Sequence, residues 1–398
     1  MKKHLKYIAL GLLTSFVACN KSVEKTSGLI KNNIDFATQQ IGWQVNLIEQ
    51  SGKILNPRTI HNGHVQYIPI DDWTSGFFPG TMWYMYDLTK DEQWKQYGIK
   101  YTEVLDSVKY LKWHHDVGFM INCSYGNAYR VTGNEAYKDV IVEAAKSLAT
   151  RFRPVPGVIQ SWDEDRGWQG QRGWNCPVII DNMMNLELMF NATRFSGDST
   201  FYKMAVSHAD ITLANHFRPD FSSFHVIDYD KTTGEVRHKH TAQGYAHESS
   251  WARGQAWAIY GFAVCYRETK DIRYLELCDN IYRFLFTHEN MPEDLIPYWD
   301  FNAPNIPHEP RDASAAAIIA SALYELSTYD RAAYKQTADK IIGSLSSPAY
   351  LALVGTNGNF LLMHSVGSIP HNNEIDVPLN YADYYFLEAL IRKLRMES

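Results

Sequence analysis

The stretch Trp174-Asn175-Cys176-Pro177-Val178-Ile179-Ile180-Asp181-Asn182-Met183-Met184-Asn185-Leu186-Glu187-Leu188-Met189-Phe190 runs three apolar residues straight into an aspartate, where a helical pattern begins. Aspartate at such a point reads first as an N-cap, accepting from the free N–H groups of the first turn. The same layout, a polar cluster followed by an apolar helix, recurs along the chain. That recurrence decides the fold and raises the question whether Asp181 also does chemistry.

The recurring unit is a helix rich in small and apolar residues, a short polar turn, and a more amphipathic helix with an early aromatic. Phe77 to Asp87 leads into Trp94, and Phe119 to Val131 into Tyr137. Asn182 to Phe195 leads into Tyr202, Trp251 to Arg267 into Tyr274, and Ala313 to Leu326 into Tyr334. Each early aromatic is expected to pack back on the turn before it. A helix near residue 31 and a last one from Tyr381 to Leu394 complete a sixth pair across the termini. Six hairpins predict an all-α fold, an (α/α)6 barrel. An open solenoid is the alternative, but solenoid ends carry polar caps and these ends are apolar.

In such a toroid the inner helices all start at one mouth. The segments entering them (73–76, 114–118, 177–181, 249–254 and 311–314) are the densest polar and aromatic clusters of the chain. A polar loop is expected between the first helix and Asp71. Residues 155 to 174 read as strand and aromatic loop. Residues 223 to 245 read as a short β-hairpin turning at 231–234, placed over the same mouth.

The first 19 residues read as a secretory signal: a basic start, a short apolar run, then Ala18-Cys19 in a lipobox-like context. Lipidation of Cys19 would anchor the mature protein in the periplasm; ordinary cleavage near Ala18 is the alternative. Residues 20–30 are expected to be a tether and 31–398 one catalytic domain. Cys123, Cys176, Cys265 and Cys278 have no metal or disulfide spacing and read as buried thiols. A net charge of −6 without basic runs argues against nucleic acid as partner. The aromatic content, with 25 Tyr and 11 Trp, suits a pocket for sugar rings.

Asp116 and Asp181 each stand at an inner-helix entry. Two carboxylates facing one partly dry pocket do not both ionise easily, so one can serve as a general acid. Two plain N-caps are the alternative. Arg253 and Trp257 share a helix face, and an Arg beside a Trp suits a ring bearing a carboxylate. A structural Arg bound to a neighbouring helix is the competing reading. No histidine pattern reaches a familiar metal spacing, so neither metal nor cofactor is expected.

His115-Asp116-Val117-Gly118-Phe119, Ile180 to Asn185, Ser223-Phe224-His225, Thr241-Ala242-Gln243-Gly244 and Trp251 to Trp257 occur in this order. Together they resemble the unsaturated glucuronyl hydrolases, glycoside hydrolase family 88, over nearly all the chain after the signal. The resemblance implies an (α/α)6 barrel. It implies hydration of the C4=C5 vinyl ether of an unsaturated uronic acid at the non-reducing end of lyase-generated glycosaminoglycan disaccharides (from heparin, hyaluronan or chondroitin). Asp181 would be the general acid and base, and Asp116 the second essential carboxylate, with Asp181 held protonated by its neighbour. His225, Thr241, Gln243, Arg253 and Trp257 would bind substrate, Trp162 would stack on the sugar, and Ser365 and Ser368 match a sulfate-reading segment. Members favouring 6-sulfated chondroitin carry a Lys and an Arg where this chain has Pro370 and Ala242, so strong dependence on that sulfate is not expected. The alternatives are a family 105 rhamnogalacturonyl hydrolase and a non-catalytic glycan-binding lipoprotein.

Overall fold

The computed structural model describes residues 28–397; the expected signal segment and Cys19 lie outside them. Helix α1 runs over 28–50, so it begins inside the span 20–30 that was expected to be a tether. Eleven further helices follow: α2 (Phe77–Thr89), α3 (Glu92–Glu103), α4 (Val117–Ile121 continued by a π-helical Asn122–Gly126 and by Asn127–Thr132), α5 (Ala136–Ala149), α6 (Leu186–Ser196), α7 (Ser199–Asn215), α8 (Ala252–Thr269), α9 (Ile272–Thr287), α10 (Ala313–Leu326), α11 (Ala332–Leu345) and α12 (Asn380–Glu397). The inner helices α2, α4, α6, α8, α10 and α12 each pack on the next, and α12 packs back on α2. The ring is closed, as an (α/α)6 barrel.

The hairpin turns share one local device. Thr89, Thr132, Ser196 and Thr269 each bond back to the carbonyl four residues earlier, and each hydroxyl accepts from the backbone N–H two residues on. The residue between takes a left-handed conformation (Lys90, Gly133, Gly197, Lys270). Asp91, Asp198 and Asp271 then cap the outer helices. Three of the early aromatics of the outer helices pack on the preceding inner helix, Tyr137 on Tyr125 at 5.3 Å, Tyr202 on Phe190 at 5.7 Å and Tyr274 on Phe262 at 5.6 Å, whereas Tyr334 packs on Tyr282 of the neighbouring outer helix at 4.1 Å. Small residues let inner helices approach closely. A Cβ at Gly80 would lie 2.4 Å from the Tyr384 ring. At the barrel centre Glu388 accepts from Tyr84 (2.7 Å), Tyr260 and Ser321, tying four inner helices together.

Strand content exceeds the single expected hairpin. The segment before Asp71 is itself a hairpin, β1 (Asn56–His61) with β2 (His64–Ile68). A two-residue pair, β3 (Phe152–Arg153) and β4 (Val158–Ile159), precedes the aromatic loop. The expected hairpin, β6 (Val226–Tyr229) and β7 (Val236–His240), gains a third strand from β5 (Cys176–Ile179), the apolar run before Asp181. A further hairpin, β8 (Ser365–Ser368) with β9 (Asn373–Val377), was not apparent in the sequence.

Candidate active site

A cavity of about 480 Å³ opens where the inner helices begin. The entries into α2, α4, α6 and α8 supply Trp73, Asp116, Asp181 and Arg253 to its lining; the entry into α10 stays out of it. At the opposite mouth a second cavity of about 660 Å³ is lined by Arg and Glu side chains that pair with one another, as in Arg267–Glu187 and Arg194–Glu268.

Neither aspartate caps a helix with its side chain. Asp116 occupies the cap position of α4, but its carboxylate makes no capping bond. Asp181 lies inside a 3-10 turn, Ile180–Asn185, whose flanking residue is Ile179. Strand β5 runs directly into that turn, and this leaves the Asp181 carboxylate facing the cavity. The Asn185 amide donates to Asp116 Oδ1 at 3.2 Å while its own carbonyl oxygen accepts from the Phe119 N–H at 3.1 Å. His115 Nε2 also lies 3.2 Å from Asp116 Oδ1.

Both carboxyls are buried, and burial is the main force on each. It pushes Asp181 up to about 7, opposed by the Arg253 guanidinium and by the Trp257 indole N–H. It pushes Asp116 up to about 8, opposed by the Asn185 amide and reinforced by the charge of Asp181. Burial acts on both, and the repulsion between the two carboxyls is shared by the pair, so both effects favour keeping a proton there.

His225 sits behind Asp181. Its Nδ1 accepts from the backbone N–H of Ala242 (3.0 Å) and Gln243 (3.1 Å), and its Nε2 lies 3.6 Å from Asp181 Oδ2. Burial and the Arg253 charge hold the ring neutral, well below its ordinary pKa. Arg253 is buried and donates to Asp312 Oδ2 at 3.3 Å, to the Gly367 carbonyl at 2.6 Å and to the Val366 carbonyl. Asp312 in turn caps α10 through Ser314 and Ala315. The structural reading of Arg253 is thus correct as far as it goes, yet the residue also lines the cavity.

Trp162, Gln243 and Ser368 line the cavity as expected. Trp162 is stacked on Trp174 at 5.6 Å. Four expected contacts do not reach it, and His225, behind Asp181, is the first. Thr241 accepts from the Gly244 N–H at 2.8 Å and shapes the turn below Gln243. Trp257 lies in an aromatic floor with Phe119 (5.2 Å) and Tyr385 (5.7 Å). Ser365 is fully buried behind the wall. The lining also includes Arg166, His371 and Asn373, which the sequence reading missed. The last two follow from the unrecognised β8–β9 hairpin, where His371 Nδ1 lies 2.7 Å from Ser368 Oγ.

His114, His115 and Asp116 can bring three ligand atoms within 4.8 Å of one another. Burial first, and then the charge of the nearby Arg151, hold both imidazoles below their ordinary pKa, so positive charge already stands there. The four cysteines are buried and unpaired.

Residues 53–392 match the model of glycosyl hydrolase family 88. The chain belongs to glycoside hydrolase family 88. An unsaturated glucuronyl hydrolase of Formosa agariphila is 48% identical over 341 residues, covering 85% of this chain and 83% of that one. An unsaturated chondroitin disaccharide hydrolase of Streptococcus agalactiae is 31% identical, covering 97% and 94%. Among solved structures, an unsaturated glucuronyl hydrolase specific for heparin superposes with a TM-score of 0.88 at 45% identity, covering 93% of this chain and 98% of that one. The family 88 chain is a glycosidase, which removes the non-catalytic binding reading.

Proposed function

We propose that this family 88 glycosidase removes the 4,5-unsaturated uronic acid from lyase-generated glycosaminoglycan fragments, with Asp181 as the acid and base. The observation that carries this is two buried carboxyls in one aromatic cavity, each holding its proton near neutral pH. Asp181 delivers its proton to C4 of the vinyl ether, and water adds at C5. Asp181 takes a proton back from that water. The hemiketal opens and the neighbouring sugar leaves as the C1 hemiacetal collapses. Neutral His225 donates toward the Asp181 carboxylate once the proton has left. Asp116 binds ring hydroxyls and keeps its proton while Asp181 cycles. Arg253 faces the uronate carboxylate, and Trp162, Gln243 and Ser368 contact the sugars.

Heparin-derived disaccharides are the preferred class in this reading. The 45% identity to a heparin-specific enzyme supports it, as does Pro370 at the position where 6-sulfate readers carry a Lys. The test is loss of the ultraviolet absorbance of the conjugated double bond on heparin, hyaluronan and chondroitin disaccharides in parallel. Turnover of none, or of Asp181→Asn at the wild-type rate, rejects the proposal. Cys19 is proposed as a lipid anchor that holds the enzyme in the periplasm. Intact mass of the mature N-terminus checks this, and an unmodified residue there rejects it.

A further inference from the structure

Arg58 on β1 does not itself line the cavity, yet it joins two of its walls. Its Nε and Nη2 donate to the two carboxylate oxygens of Glu374 on β9, at 2.6 and 2.9 Å. Its Nη1 donates to Asp72 Oδ2 at 2.7 Å. Asp72 Oδ1 accepts from the Thr74 N–H and hydroxyl at 2.8 and 2.7 Å, fixing the entry to α2. The guanidinium also lies 5.8 Å from the ring centre of Trp73, which lines the cavity.

Glu374 carries the link onward. It packs against Gly367 across the hairpin so closely that a Cβ there would lie 2.4 Å from Glu374 Oε2. The flanking register, Val366 opposite Ile375 and Ser368 opposite Asn373, brackets that contact. The carbonyls of Val366 and Gly367 are the ones that receive the Arg253 guanidinium. Asp312 accepts from the same Nη1 that meets the Val366 carbonyl, and Arg253 Nε has no protein partner. The aim of Arg253 is therefore set by a hairpin whose own position is set by a bidentate ion pair. A planar guanidinium makes that pair directional in a way a point charge does not.

We propose that Arg58 is a positioning residue: through Glu374 it fixes the β8–β9 carbonyls that aim Arg253 at the carboxylate of the substrate. This rests on the proposed activity, in which Arg253 faces the uronate. The misaimed guanidinium costs ground-state and transition-state binding alike, so the effect belongs in KM.

The test is a cycle of Arg58→Lys, Glu374→Gln, Arg253→Lys and the doubles Arg58→Lys/Arg253→Lys and Glu374→Gln/Arg253→Lys, each assayed on an unsaturated disaccharide and melted by circular dichroism. A wild type without turnover defeats the activity reading, not this one. With an active wild type, each single variant is expected to raise KM about tenfold or more while kcat per folded molecule stays within about threefold. Each double variant is expected to have the KM of Arg253→Lys alone, because both changes spoil one interaction. A lowered melting temperature with unchanged KM overturns the proposal, as do KM increases that multiply in the doubles. Should Arg58→Lys fail to fold, Glu374→Gln and its double decide on the same terms.

Discussion

Asp181 Oδ2 lies 3.6 Å from Nε2 of His225, and the other nitrogen of that ring already accepts two backbone N–H groups. The ring is neutral, so those two bonds put its one hydrogen on Nε2, pointing toward Asp181. The distance is long for a hydrogen bond and is expected to tighten in the substrate complex. His225→Asn can still accept from the 242–243 backbone but no longer reaches the carboxylate. Losing a hydrogen bond to a charged group predicts a fall in kcat/KM of about 10- to 100-fold. Steady-state kinetics beside a thermal melt will check it; an unchanged kcat/KM would remove His225 from the mechanism.

The pH dependence has a definite sign. Asp181 must carry its proton to deliver it, and its pKa is pushed up to about 7. Activity is therefore expected to fall as pH rises through about 7 and to persist below it. Burial is the first force on Asp181, so the alkaline limb should stay above the ordinary carboxylate range in the residual activity of Asp116→Asn. Asp181→Asn should lose about 10²- to 10⁴-fold, the usual share of a positioned acid. A limb that falls to the ordinary carboxylate range in Asp116→Asn would show that Asp116, and not burial, holds that proton.

Burial of these carboxyls also bears on stability. A carboxyl whose pKa is raised on folding binds more protons folded than unfolded between the two values. For Asp116 that window runs from the ordinary 3.8 to about 8. Its contribution is present below the window and is lost as pH rises through it. Asp116→Asn should then melt higher than wild type at the alkaline end and gain least at the acid end. Melting curves across that range will show the gap opening with pH; a gap that closes instead contradicts the burial argument.

The barrel was legible because one unit recurs along the chain: a helix rich in small and apolar residues, a short polar turn, and an amphipathic helix with an early aromatic. Asp116, Asp181, Arg253 and Trp162 were legible because each sits beside an inner-helix entry or in an aromatic loop over it. The N-cap readings failed for a tertiary reason. Strand β5 pairs with β6 and delivers Asp181 into a 3-10 turn, which local propensity does not encode. Thr241, Trp257 and Ser365 carry the right side chains but stand behind the residues that reach the cavity. His371 and Asn373 were missed because β9 is short and strongly bent, with Glu374 and Asp376 at positive φ, so no alternating pattern marks it.

Gly118 tests how tightly the Asp116 environment is built. A Cβ at this position would lie 2.4 Å from Asn185 Oδ1 and 2.6 Å from Asn185 Cα. Gly118→Ala must therefore push Asn185 away from Asp116 and break the bond to the Phe119 N–H. Overpacking of this kind costs about 1–3 kcal/mol. The expected outcome is a lower melting temperature together with a reduced kcat, since the amide that steadies Asp116 has moved. An Ala variant as stable and active as wild type would show that Asn185 is not required there.

Ala242 and Pro370 separate what the pocket can acquire from what it cannot. Pro370 is exposed, between Ser368 and His371 of the cavity wall, so Pro370→Lys adds a cation at the rim without disturbing the interior. It is expected to raise kcat/KM for a 6-sulfated disaccharide relative to the unsulfated one. Ala242 is buried against Trp174, Ile179 and Val226, and its N–H holds His225. An Arg there has no room and would displace His225, so Ala242→Arg should lose activity on every substrate rather than gain the sulfated one. Parallel assays of the two variants on matched sulfated and unsulfated disaccharides decide this. A selective gain in Ala242→Arg would mean that the 241–247 turn can move outward while His225 keeps its place.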